Sequence, residues 1–284
     1  MMKNILLPTD FSKNAWNAIF MAVKLYADME CKFYVLHTFE PKKENIAGFK
    51  SSTRAGVVYQ SLAEASEGQL GEIMEYLEKN HKNPKHSFGK LSISGGLVET
   101  IRDLVPKYDI DTIVMGTKGA TGAKSVFMGS NAVNVLKGIK NCVTVVVPES
   151  YDFQKLESLV FPTEYVHFFP KNVLQPLLKL ITLWNSKVKV FHVAQTFGLS
   201  ETQKSNKEIL KKRFAGHPTS FHKVVIKTTV AEAIRQFAEE ERTDMIVLTN
   251  YSHDFFDKLT QEPVVKKVTF RTEIPLMVLP DFQG

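Results

Sequence analysis

The chain repeats itself, and this constrains its fold more than any other feature. "ILLPTDFS" from Ile5 is echoed by "LVFPTEYV" from Leu159; each is an apolar run closing on Pro-Thr-acid. "KFYVLHTFE" from Lys32 returns as "VKVFHVAQ" from Val188, each with a histidine near its end, His37 and His192. "IRDLVPKYDIDTIVMGT" from Ile101 returns as "IRQFAEEERTDMIVLTN" from Ile234, and "CVTVVVP" from Cys142 as "IPLMVLP" from Ile274. Four landmarks in one order mark two copies of a single unit. The apolar pattern breaks at "PESYD", so the expected domains are residues 1–149 and 150–284.

Within each copy, β-branched runs alternate with segments of helical period. In the first copy strands are expected near residues 3–8, 31–38, 86–94, 110–116 and 142–147. Ser12 reads as the N-cap of "KNAWNAIFMAVKLYA", whose apolar residues fall three and four apart. "SLAEASEGQLGEIMEYLEKN" reads as a second helix weakened by Gly68 and Gly71. "LVETIRDLVPKY" is a third, which Pro106 should end early, and "SVFMGSNAVNVLKGI" holds a fourth. The stretch "EPKKENIAGFKSSTRAG" lacks periodicity and is expected to be a long loop. "TIVM" and "VTVVV" are unbroken apolar runs, as in strands covered on both faces. The fold class is therefore α/β: two Rossmann-like domains of flavodoxin-like strand order, each a five-stranded parallel sheet with helices on both faces.

Composition narrows the setting. Lys and Arg number 36 against 30 acidic residues, and the small excess lies in mixed-sign stretches such as "SNKEILKKRF". That describes a solvated surface; no nucleic-acid or membrane partner is expected. No apolar run approaches a membrane span, and "MMKNILLPTDFS" lacks the features of a signal peptide. Two distant cysteines, Cys31 and Cys142, form no disulfide framework or metal pair, which suits a reducing compartment, and a cytoplasmic location is expected.

The chemistry concentrates after "DTIVM", in "GTKGATGAKSVFMGSN" from Gly116. It is not a Walker A loop, because Ala123 stands where the second glycine belongs before Lys124 and Ser125. "SGGLVET" from Ser94 has Val98 where a pyrophosphatase loop carries Asp, and reads as a turn before a helix. The spacing Gly116-x2-Gly119-x9-Gly129-Ser130 remains. Glycine is favoured where backbone must approach phosphate oxygens, and a helix start offers free amides and a positive dipole end.

That spacing, with "ILLPTDFS", "YVLHTFE" and "VTVVVP", closely resembles the ATP-binding signature of universal stress proteins. The similarity runs through both halves and implies a tandem member of that family, its halves packed as a pseudo-dimer through their last strands. Val143 departs from the proline the family often has after the cysteine. The resemblance implies ATP in the first half, with Gly116, Gly119, Gly129 and Ser130 on ribose and phosphates and Asn131 adding an amide. It places Asp10 and the Thr38 backbone beside adenine, with Thr9 close by. Pro8, Met115, Thr117 and Lys118 complete the expected pocket; Lys118 and Lys124 offer charge to the phosphates. Asp10 is the one residue expected near Mg²⁺, carried in with ATP; no protein metal site and no catalytic residue is expected.

The second copy serves as a control. Gly116 aligns with Thr249, Gly119 with Ser252, Gly129 with Glu262 and Ser130 with Pro263, while Asp10 becomes Glu164. Proline has no N–H to donate, and a carboxylate repels phosphate. The second half is expected not to bind ATP in this way. The expected role is nucleotide-dependent regulation of a protein partner under stress. A slow ATPase, a nucleotide-free interaction protein and association into a homodimer stay open. The paired histidines His81/His86 and His217/His222 are expected to be surface or hydrogen-bonded groups, His37 and His192 satisfied imidazoles, and Phe11, Trp16 and Phe20 core.

Overall fold

The structure, a computed structural model, describes residues 2–40, 52–118, 128–194, 198–225, 229–249 and 273–280. The first half runs β1 (Lys3–Pro8), α1 (Lys13–Leu25), β2 (Cys31–Phe39), α2 (Ser52–Asn80), β3 (His86–Ser94), α3 (Leu97–Lys107), β4 (Thr112–Gly116), α4 (Ser130–Gly138) and β5 (Val143–Val147). The second runs β6 (Ser158–Thr163), α5 (Lys171–Trp184), β7 (Lys187–Ala194), α6 (Glu201–Arg213), β8 (Thr219–Val225), α7 (Val230–Glu240), β9 (Met245–Thr249) and β10 (Leu276–Leu279).

Among the described residues, ten strands form one sheet in the order β3-β2-β1-β4-β5-β10-β9-β6-β7-β8. Each half is parallel within itself. The halves join where β10 runs antiparallel to β5, with Leu276 opposite Val146, Met277 opposite Val145 and Val278 opposite Thr144. The expected α/β class and pseudo-dimer packing are present. The strand order is a correction: each half follows 3-2-1-4-5, the Rossmann arrangement, instead of the flavodoxin order 2-1-3-4-5. Right-handed crossovers explain the consequence. β1, β2 and β3 step outward in one direction, so α1 and α2 share a face. The chain then returns through β4 to β5, so α3 and α4 cover the other.

Two core layers follow. One holds Ile19, Ala22 and Leu25 of α1 and Leu70, Ile73 and Leu77 of α2, and continues into Leu174, Leu177 and Ile181 of α5 and Leu210 of α6. The other holds Ile101 and Leu104 of α3, Val135 of α4, and Ile234 and Phe237 of α7. Each layer spans both halves, because the pseudo-twofold axis through the β5–β10 seam keeps equivalent helices on one face. The linker adds clasps: Asn17 Nδ2 donates to the carbonyls of Pro148 (2.9 Å) and Tyr151 (2.7 Å), and the Tyr151 hydroxyl donates to that of Asp244 (3.0 Å). Trp184 Nε1 donates to the Leu25 carbonyl (3.0 Å) across the halves.

Local signals behave largely as read. Ser12 caps α1 by accepting the Ala15 N–H (3.2 Å). Gly96 of "SGGLVET" is the N-cap of α3. That helix passes Pro106 by one residue before the chain leaves it at Asp109, whose φ is 47°. In the last turn proline removes only one N–H bond, so it did not end the helix at once. Residues 52–56, expected within the long loop, open α2, while 41–51 lie outside the described residues. Both cysteines are buried, and burial pushes their thiols up to about 12.

Gly68 lies on the exposed side of α2, and a Cβ there would meet nothing within 4 Å. Gly68→Ala should stabilise the protein by about 0.5–1 kcal/mol, through lost chain entropy in the unfolded state alone. Thermal denaturation should show a rise of about 1–4 °C; a fall would mean that this segment is not helical in solution.

Candidate functional site

The carboxyl ends of β1, β2 and β4 lie side by side, because β1 pairs with both other strands. The chain turns sharply after β1. The Thr9 N–H donates to the Leu36 carbonyl (2.8 Å), and its hydroxyl accepts the Phe11 N–H (3.0 Å). Phe11 takes a left-handed φ of 64°, and Asp10 Oδ1 accepts the Ser12 N–H (3.1 Å). The turn thus presents Thr9, buried, and Asp10, half-buried, directly before α1.

One side chain ties this turn to the rest of the rim. Asn14 is 2% exposed. Its Nδ2 donates to the Val147 carbonyl at the end of β5 (2.9 Å), while its Oδ1 accepts the Lys118 N–H (2.7 Å) and the Thr117 hydroxyl (3.2 Å). Gly116 lies against it: a Cβ there would stand 2.7 Å from Asn14 Cγ. The missing side chain at Gly116 therefore makes room for Asn14, a reason distinct from close approach to a phosphate. Sequence reasoning missed Asn14. Its signal was a carboxamide at the start of a helix face that otherwise buries Ala15, Ala18, Ile19 and Ala22.

The Thr117 N–H donates to the Val147 carbonyl (2.9 Å), and the Thr117 carbonyl accepts the Gly129 N–H (2.6 Å). That bond clasps the end of β4 to the start of α4. It also occupies the Gly129 amide. Gly129 is the N-cap of α4 with no side-chain cap, and the first turn carries no acidic residue. The first amides of a helix have no intrahelical carbonyl to bond, and they gather at its positive dipole end. Ser130 and Asn131 are exposed and Lys118 is half-buried. Pro8 and Met115 are buried at the ends of β1 and β4; Thr38 is half-buried, beside Ile93 of β3. Gly119 and Lys124 lie outside the described residues.

His37 adjoins this turn as a fixed wall. Its Nδ1 is 2.8 Å from Ser66 Oγ, which is 2.7 Å from Ser92 Oγ, and its ring centroid is 4.4 Å from that of Phe11. Burial lowers its pKa, while the carboxylate of Asp10 pulls it upward.

The second half keeps the turn and loses the tie. Tyr165 repeats the left-handed φ at 56°, and its N–H again donates to a threonine hydroxyl, Thr163 (3.0 Å). However, α5 begins at Lys171, eight residues after Thr163, whereas α1 begins at Lys13, four after Thr9. With those four extra residues, Asn14, second in α1, corresponds to Asn172, second in α5, and Asn172 is exposed. Thr249 closes β9 where Gly116 closes β4; Ser252, Glu262 and Pro263 lie outside the described residues.

A family model described as "Universal stress protein family" matches residues 1–147, more than half of the chain. The chain belongs to the universal stress protein family. Universal stress protein MJ0577 of Methanocaldococcus jannaschii is 28% identical over 159 residues, covering 51% of this chain and 95% of the relative. A universal stress protein of Archaeoglobus fulgidus superposes with a TM-score of 0.70 at 17% identity, covering 98% of both chains. The functionally unknown protein PA1789 of Pseudomonas aeruginosa PAO1 does so with a TM-score of 0.60 at 12% identity, covering 98% of this chain and 92% of its own. These two show that the double fold recurs as one chain. Among the described residues of this family member, no helix is long and apolar enough to cross a membrane, and no group of three His, Cys, Asp or Glu side chains is placed to hold a metal.

Two predictions follow, one from the rim and one from the buried histidines of both halves. Asn14→Ala leaves the Lys118 N–H without its partner and the Val147 carbonyl with the Thr117 N–H alone, and should cost about 1–3 kcal/mol. Gly116→Ala should also destabilise, but much less so in the Asn14→Ala background. A double-mutant cycle by urea unfolding should give a coupling of about 0.5–3 kcal/mol, and strict additivity would refute the contact. The second concerns pH. Burial holds His37, His81, His86 and His192 below the ordinary imidazole range. As pH falls below about 6.5 the unfolded chain takes up protons before the folded one, so stability is lost. The urea midpoint should be lower at pH 5.5 than at 7.5; a flat profile would contradict this.

Proposed function

We propose that the chain binds ATP at the rim between the β1 turn, the end of β4 and the start of α4, in residues 1–149 only. In this reading it acts as a nucleotide-dependent regulator of a protein partner in a cytoplasmic stress response. Residues 150–284 complete the sheet without binding ATP in this mode. The observation that carries the reading is the bond from the Gly129 N–H to the Thr117 carbonyl at 2.6 Å. It sets the exposed amides of Ser130 and Asn131 next to the backbone of Thr117 and Lys118. A polyphosphate suits that junction: amides at a positive dipole end, a lysine beside them, and no acidic residue in the first helical turn. Asp10 and Thr38 stand at the ends of the neighbouring strands, where the family resemblance puts adenine.

The residues present suit Mg²⁺ only as a companion of the nucleotide. Asp10 offers one carboxylate, and one or two carboxylates plus phosphate oxygens are what Mg²⁺ usually takes. When bound, the ion would neutralise phosphate charge. The chain's own part is to hold the β1 turn and the β4–α4 junction in register through Asn14. Occupancy of that junction changes the surface around α4, and this is how a partner would sense it.

Gly129 has φ −66° and ψ 158°, a conformation open to any residue, so Gly129→Glu should fold. Its carboxylate would stand against the phosphates, where like charges at about 4 Å cost roughly 4 kcal/mol at an effective dielectric of 20. Calorimetric titration should find one ATP per wild-type chain and at least a 100-fold weaker affinity in Gly129→Glu, with an unchanged circular dichroism spectrum. Unchanged affinity in the variant, or two equal sites per chain, would defeat the proposal.

A further inference from the structure

A groove of about 360 Å³ runs along α5, on the sheet face that α1 and α2 share with α5 and α6. One wall is a single stripe of α5: Lys171, Gln175, Leu178, Lys179, Thr182 and Leu183. The other is Met29, in the turn after α1 of the first half. From Lys171 to Leu183 the stripe rises about 18 Å, the reach of about five or six extended residues.

The first half shows what covers such a stripe. Counted from the start of each helix, Asn17 of α1 corresponds to Gln175, Phe20 to Leu178, Met21 to Lys179, Lys24 to Thr182 and Leu25 to Leu183. There the linker between the halves lies on the helix. Asn17 Nδ2 holds the carbonyls of Pro148 and Tyr151, and Lys24 Nζ donates to that of Phe153 (3.0 Å). The opposite half grips the linker from the other side. The Ser186 hydroxyl, in the turn after α5, donates to the Leu156 carbonyl, and the Phe153 ring meets Trp184 edge-on at 5.5 Å. A helix stripe and the turn of the opposite half thus hold a segment that is neither helix nor strand over residues 151–157.

On α5 the stripe and the opposite turn are both present, and no described segment covers them. Met21 and Leu25 are buried at 1% and 0% exposure, while their counterparts are exposed Lys179 and half-buried Leu183. Leu178, Leu183 and Met29 pack against the core beneath and form an apolar floor. Gln175 offers a carboxamide where Asn17 grips the linker. Lys171 and Lys179, both exposed, border the floor, and no carboxylate lines the groove. Neither lysine pairs with an acid among the described residues. A second copy of this face fits badly, because a twofold contact sets one lysine-bordered stripe against another.

We infer that this groove takes an extended segment of a partner protein built like the chain's own linker. Aromatic side chains lie over Leu178, Leu183 and Met29, carboxylates stand toward Lys171 and Lys179, and the Gln175 amide holds a backbone carbonyl. The linker itself has this chemistry: "PESYDFQKLE", residues 148–157, carries two aromatic and three acidic side chains against one lysine.

The probe is that ten-residue peptide, labelled with fluorescein and titrated into the full chain by anisotropy. One saturable site is expected, lost when Tyr151 and Phe153 of the peptide are both replaced by alanine. The methyl ¹³C signal of Met29 should move on binding. Lys171→Glu with Lys179→Glu, both on the exposed surface, should weaken binding about tenfold or more, and Leu178→Glu should abolish it. No saturable binding, a static Met29 signal, or equal binding of the alanine peptide would overturn the inference, whether or not Leu178→Glu folds. Two further outcomes would give the groove to another occupant and overturn it as well. Binding only to a chain ending at Pro280 would assign it to residues 281–284, which follow Pro280 as the linker follows Pro148. Self-association of the wild type that Leu178→Glu removes, seen by analytical ultracentrifugation, would assign it to a second copy.

Discussion

The antiparallel pairing of β5 with β10 is the interaction on which the rest of the structure depends. A five-stranded parallel sheet built in the order 3-2-1-4-5 ends on β5, an apolar strand whose outer edge has unpaired amides and carbonyls. In "VTVVV" every residue is buried, so that edge is as hydrophobic as a strand can be. Left open, it would pair with another chain. Here the last strand of the second half closes it, and each half protects the other. The two core layers then run unbroken beneath both halves, and Trp184 and Tyr151 clasp across the join. The two halves are thus one cooperative sheet carrying two rims.

Antiparallel pairing also fixes where those rims stand. Strands of one half point opposite to strands of the other, so their carboxyl ends lie at opposite ends of the ten-stranded sheet. The Asp10–Asn14–Gly129 rim and the Thr163–Tyr165 turn of the second half are consequently separate places, each bounded by its own half. Any influence of one on the other passes through packed strands and helices of the seam. It does not pass through a shared ligand.

The repeat made the architecture legible, because the same short runs had to become the same strands. Even details of the repeat return as structure. Asp111 accepts the Asn4 N–H (2.9 Å), and its counterpart Asp244 accepts the N–H groups of Glu157 and Ser158 (2.8 Å each). Strand order was less accessible, since 3-2-1-4-5 and 2-1-3-4-5 need the same alternation of elements and differ only in where the third strand lands. Local spacing pointed to Gly116 and Gly129 but could not say what each does. Gly116 yields to Asn14, 102 positions away in the chain. Gly129 spends its amide on Thr117. Both facts depend on tertiary neighbours that no local pattern reveals.

A copy that loses one site while keeping its fold follows from where each constraint acts. The seam needs Leu276, Met277 and Val278 to stay strand-forming and apolar, and the core layers need Leu174, Leu177, Leu210 and Ile234. None of these residues belongs to the rim turns. The rim, in turn, depends on side chains such as Asn14 that contribute little to the sheet beyond their own half. Adding four residues before α5, which leaves Asn172 exposed where Asn14 is buried, therefore remodels the rim without touching the pairing that closes β5. Freed from the geometry of the first rim, α6 turns Asn206 toward the Tyr165 loop. The ring of His192 stacks on Tyr165, with centroids 4.8 Å apart, and faces the Thr163 carbonyl through Nδ1 (3.0 Å).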